Sequence, residues 1–94
     1  MVYLEQELIL HNKGHQTVTH ELKIWPKYYA RVNAGTKTFE VRNNDRDFQA
    51  GDTVLLDEWN PESKCFTDNE TLEFKIGYVL PIEGEKVVFS LLSL

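Results

Sequence analysis

The alternation of apolar and polar positions divides the chain into short strands around one helix. Leu22 and Ile24 share a parity within His20–Trp25, which predicts a strand. Pro26 suits the first turn of a helix, Tyr28 or Tyr29 recurs with Val32 at helical spacing, and Gly35 suits a left-handed C-terminal cap. A helix over Pro26–Asn33 is therefore expected. Thr38–Arg42 alternates, with Phe39 and Val41 on one face and Thr38, Glu40 and Arg42 on the other. Thr53–Trp59 reads as a strand with Val54 and Leu56 on one face and Leu55 and Trp59 on the other. Thr71–Leu80 reads as a strand with Leu72, Phe74, Ile76 and Tyr78 in register, and Lys86–Leu92 closes the sheet. Turn formers separate these segments at Asn43–Asp52, Asn60-Pro61 and Pro81–Glu85.

Residues 1–19 fit both periods. Leu4, Leu8 and Ile9 match helical spacing, Val2 with Leu4 and Leu8 with Leu10 match strand parity, and His11–Gly14 forms a turn. This stretch is expected to be an N-terminal extension, an accessory strand or helix, ahead of a domain spanning residues 20–94. Short strands with a single helix argue for a mainly β (α+β) fold, a small β-barrel with one principal helix. Closure would remove sheet edges that otherwise need protection.

Composition narrows the class. A chain of 94 residues with 41% hydrophobic content supports one domain with a modest core. No apolar run approaches the roughly 20 residues of a membrane-spanning helix. The start, MVYLEQELIL, lacks the basic flank and cleavage site of a signal peptide. The lone Cys65 excludes an internal disulfide, and His11, His15 and His20 lack metal-ligand spacing. No glycine-rich phosphate loop is present. A cytoplasmic protein without metal, cofactor or membrane association is expected.

The net charge of −5 argues against non-specific nucleic-acid binding, but the charge is unevenly placed. Residues 20–46 carry Lys23, Lys27, Arg31, Lys37, Arg42 and Arg46 against Glu21, Glu40 and Asp45, a local excess of +3 that leaves −8 for the remainder. A basic face on an acidic body suits one selective anionic ligand.

The segment GTKTFEVR, Gly35–Arg42, gathers Lys37, Thr38, Glu40 and Arg42. Arginine supplies a planar fork of donors, a carboxylate accepts from an exocyclic amine, and lysine holds a phosphate as a point charge. The alternative is a structural Glu40–Arg42 ion pair. The loop Asn43–Phe48 adds Asn43 and Arg46 as polar contacts, while Phe48 either stacks on a base or plugs the core. Lys23 and Trp25 share a parity, so a base stacked on Trp25 would place Lys23 at its phosphate; the competing role for Trp25 is packing in the core. His20 is either a general base or a hydrogen-bonded structural residue. Trp59 fits the core better than a cleft, and Cys65 has no histidine partner nearby in sequence.

The run HELKIWPKYY…GTKTFEVRNNDRDFQAGD…W resembles the ASCH domain, a PUA-like β-barrel, and within it a group of short ASCH-like proteins of bacteria and phages. The likeness covers about Thr19–Leu92. It implies a cleft beside the helix and the Lys-Thr strand that binds RNA or a nucleotide-related ligand. Some members of the resembled family are amidohydrolases that remove an acyl group from a modified cytidine. They use a lysine, a threonine three residues later and a glutamate from a later segment. Lys37 matches the lysine, Glu40 stands where the threonine would be, and the segment supplying the later glutamate has no counterpart.

The leading expectation is thus an RNA- or nucleotide-binding domain whose ligand meets Lys23, Trp25, Lys37, Thr38, Glu40, Arg42, Asn43 and Arg46. One alternative is a small amidohydrolase with Lys37 and Glu40 as its acid/base pair. Another is a phage adaptor that binds a host protein through its acidic surface.

Overall fold

In β1 (Thr19–Ile24), His20, Leu22 and Ile24 turn inward while the residues between them face out. The computed structural model describes residues 16–94; the expectations for residues 1–15, including the His11–Gly14 turn, lie outside the described residues. Helix α1 (Pro26–Asn33) follows, with Pro26 in its first turn and Tyr29 and Val32 buried. The remaining strands are β2 (Phe39–Asn43), β3 (Thr53–Asn60), β4 (Cys65–Phe66), β5 (Leu72–Pro81) and β6 (Lys86–Leu92). The helix and β6 have the bounds that the pattern predicts, and β4 is an additional two-residue strand. Among the described residues no helix is long and apolar enough to cross a membrane.

The strands lie in the order β1-β3-β5-β6-β2, with β4 paired to the end of β3. β1 runs parallel to β3, in register Leu22↔Leu56, and the other pairings are antiparallel. The fold is mainly β with one short helix. The expected barrel is not closed, because the hydrogen-bonded path ends at β1 and β2. Two arginines cross between these ends. Arg42 Nη2 on β2 donates to the Lys23 carbonyl at 2.9 Å, and Arg46 Nη1 donates to the Glu21 carbonyl at 2.9 Å. Glu21 and Lys23 are two residues apart, so their carbonyls leave the same edge of β1. Guanidinium groups thus occupy the seam where a ladder would have completed a barrel.

The core joins Leu22 and Ile24 of β1, Tyr29 and Val32 of α1, Val54 and Leu56 of β3, Ile76 of β5, and Val87, Phe89 and Leu91 of β6. Phe48 enters it from the loop before β3, 4.8 Å from Phe89 between ring centroids and 4.7 Å from His20. A buried polar pair fastens this loop. His20 Nε2 lies 2.8 Å from Asp52 Oδ2, while Asp52 also accepts from the Val18 and Gln49 amides. A buried carboxylate is costly unless its lone pairs are filled, and these partners fill them. His20 accordingly has a structural position.

Two strands depart from a simple apolar-inward alternation. In β5, Leu72, Phe74 and Ile76 face the core, but a bulge between Ile76 and Val79 shifts the parity. Tyr78, expected in register with them, is 65% exposed, and Val79 turns inward in its place. Gly77 permits the close approach of β6, since a Cβ there would lie 2.8 Å from Ser90 Oγ and 2.9 Å from Leu92. In β2 the polar face is the inner one. Glu40 is buried and Arg42 half-buried, while Phe39 and Val41 face outward.

Candidate functional site

The end of α1 delivers the first charge. Gly35 adopts the left-handed conformation, φ 81°, with its amide bonded to the Val32 carbonyl and the Thr36 amide to the Arg31 carbonyl. This is the paired bonding of a Schellman cap, and glycine suits its left-handed position because it has no Cβ. The Lys37 amide also bonds to the Arg31 carbonyl at 3.1 Å, which fixes where the chain enters β2.

Lys37 Nζ donates to the Phe39 carbonyl at 2.6 Å and to Glu40 Oε2. Arg42 approaches Glu40 from the other side, with Nε 3.0 Å and Nη2 2.7 Å from Oε1. Glu40 is only 4% exposed, and its two oxygens are each engaged by a cation. The trio carries a formal +1 and keeps unused donors. Lys37 keeps one ammonium proton, and Arg42 Nη1 has no partner among the described residues. Glu40 positions the two cations, so an incoming ligand meets hydrogen-bond donors where a carboxylate reader was expected.

These groups line a cavity of about 670 Å³, together with Lys23, Ile24, Trp25, Tyr28, Phe39 and Val41. Trp25 is the N-cap residue of α1. Its backbone carbonyl accepts from the Tyr28 and Tyr29 amides, while its side chain makes no cap hydrogen bond. The indole is 51% exposed, so it belongs to the cavity wall and not to the core. Tyr28 lies one helical turn on. Aromatic walls over a cationic floor accommodate a flat ring carrying an anionic group.

The structure brings Lys23, Trp25, Lys37, Glu40 and Arg42 to one cavity. It places Thr38 in a separate hollow with Val32, Gly35 and Leu91, where the Thr38 carbonyl accepts from the Leu91 amide. Asn43 is exposed at the end of β2, and Arg46 lies toward the β1 seam; neither lines the main cavity. Phe48 is a core residue. Tyr28, Phe39 and Val41 are cavity residues that the reading of the chain left out. Periodicity carried no signal for them, because Phe39 and Val41 lie on the face of β2 opposite Glu40 and Arg42, and Tyr28 comes from α1.

Among the described residues no cluster of three or more His, Cys, Asp or Glu is placed to hold a metal. Cys65 is exposed, with Ser63 Oγ 3.1 Å from its sulfur.

Fold and site together define a small, mainly β domain with a cationic, aromatic-walled cavity beside its helix. The chain belongs to the family described as a domain of unknown function, DUF3850, which matches over residues 19–91. It is also similar to an uncharacterised 12.9 kDa protein in the GpA 3′ region of Escherichia phage P2, 45% identical over 40 residues. That match spans 43% of this chain and 37% of the phage protein, well under two thirds of the relative's length.

Proposed function

We propose that the protein is an ASCH-like, PUA-like domain of the cytoplasm that binds RNA or a nucleotide-like ligand in the cavity between α1 and β2. The observation that carries this reading is the donor-only floor: Glu40 holds Lys37 and Arg42 together, and their remaining donors share a cavity with Trp25 and Tyr28. A base stacks on the aromatic wall while its phosphate meets Arg42 Nη1 and the Lys37 ammonium. The likeness to ASCH domains supports the same ligand class.

An amide NMR titration with nucleoside 5′-monophosphates and short single-stranded RNA tests it. Saturable shifts at Trp25, Tyr28 and Lys37–Arg42, lost in Arg42→Ala with the spectrum still folded, are expected. Absence of shifts at millimolar ligand would refute the proposal.

The contact between Lys37 and Glu40 on the cavity floor gives a second reading, amide hydrolysis on an acylated nucleoside. It would require Glu40 to give up Arg42 or Lys37 in order to handle a proton. Release of acetate from acetylcytidine, abolished in Lys37→Ala, would support it, and no turnover at high enzyme concentration would dismiss it.

A further inference from the structure

A second cavity, of about 610 Å³, lies across Lys23 and Arg42 from the first, and both residues line both cavities. Its remaining walls include Glu21, Arg46, Asp57 and Phe66. The two cavities thus adjoin, with Lys23 and Arg42 at their common border.

Each cavity has its own aromatic surface. Trp25, Tyr28 and Phe39 belong to the first cavity. Phe66 belongs to the second, 55% exposed and held edge-on against Trp59 at 4.9 Å between ring centroids. Lys23 Nζ sits 3.8 Å from the Trp59 ring centroid and 5.8 Å from that of Phe66, so its ammonium lies beside the aromatic pair of the second cavity. The second cavity also carries the carboxylates of Glu21 and Asp57, which repel a phosphate but accept from a base's exocyclic amine. Two aromatic surfaces and the cations at the common border match base, base and phosphate along a single strand.

We infer that the two cavities act as one groove that takes two consecutive nucleotides of single-stranded RNA, one base against Trp25 and Tyr28, the next on Phe66, and the phosphate between them at Lys23 and Arg42. This rests on the nucleotide-binding reading of the first cavity and extends it from a mononucleotide to a strand. Each cavity alone is of a size that encloses a small ligand, so the second adds a subsite rather than enlarging the first. Arg46 stands beside the second position, its Nη1 held on the Glu21 carbonyl.

Isothermal titration of the full chain with AMP and with the diadenylate pApA separates the two claims. Stacking of a second base is expected to make pApA bind about tenfold tighter or more. Phe66→Ala should bring pApA down to the affinity of AMP while leaving AMP itself unchanged, and a thermal melt confirms that the variant is folded. Equal affinity of AMP and pApA for the wild type would overturn the two-nucleotide groove and leave the first cavity standing. So would a Phe66→Ala variant that keeps the full preference for pApA. If neither ligand binds, the nucleotide reading falls and the groove falls with it.

Discussion

Arg42 reaches across the open seam of the sheet to the Lys23 carbonyl while the same guanidinium grips Glu40 on its own strand. One side chain therefore serves the fold and the cavity floor together. Lysine at this position would keep the charge but could not serve Oε1 of Glu40 with two donors and the β1 carbonyl at once. Arg42→Lys should lower stability by about 1–2 kcal/mol in urea unfolding and weaken nucleotide binding about tenfold or more. A variant that binds normally would remove Arg42 from the ligand site.

Trp25 separates binding from stability. Its indole is half-exposed and contributes no cap hydrogen bond. Trp25→Ala should change unfolding free energy by less than about 1 kcal/mol yet cost about 1–3 kcal/mol of nucleotide binding. A thermal melt and a titration on the same sample give both numbers. A large loss of stability would instead return Trp25 to a structural role.

Glu40 tests the floor from below. Removing it leaves two cations side by side, both reachable by water, so the cost should be about 2 kcal/mol rather than the larger penalty of an orphaned buried charge. Glu40→Ala should also scatter Lys37 and Arg42, seen as loss of their ordered side-chain NMR resonances. Anion binding that survives undiminished would show that the cations need no positioning.

Gly77 marks the bulge. Any side chain there meets Ser90 and Leu92, so Gly77→Ala should destabilise the protein by about 1–3 kcal/mol through overpacking. Chemical denaturation reads this directly, and an unchanged midpoint would mean that β6 yields without cost.

Tyr29 gives a pH dependence. Burial first, then the Glu58 and Glu70 carboxylates, push its hydroxyl up from the ordinary 10.0, and that hydroxyl donates to the Glu70 carbonyl at 2.7 Å. The folded pKa exceeds the unfolded one, so the unfolded chain loses this proton first as pH rises. The contribution is complete below about pH 10 and disappears as pH climbs through the folded value. Tyr29→Phe should cost about 1 kcal/mol at neutral pH through the lost hydrogen bond and flatten the alkaline decline relative to wild type. Parallel alkaline limbs would contradict the assignment.

The local elements were legible because their signals are local. Pro26 and Gly35 bracket α1, and alternation marks β6. The outward face of Tyr78 was not, because a bulge is set by the approach of β6 at Gly77 rather than by anything within β5. The inverted β2 was hidden for a different reason: an inward Glu40 is favourable only with Lys37 and Arg42 wrapped on it, a cost invisible to a hydropathy pattern. GTKTFEVR did mark the charged floor, but Tyr28 joins it from a neighbouring element, and Thr38 leaves it because its side of the chain faces the hollow beside Leu91.

The arginine seam has a consequence for how the groove is dimensioned. Where strands pair, their separation is set by the backbone hydrogen bonds of the ladder. Between β1 and β2 that ruler is missing, and the spacing is instead the reach of Arg42 and Arg46. Changing two side chains would therefore widen or narrow the groove while every ladder in the sheet stayed as it is.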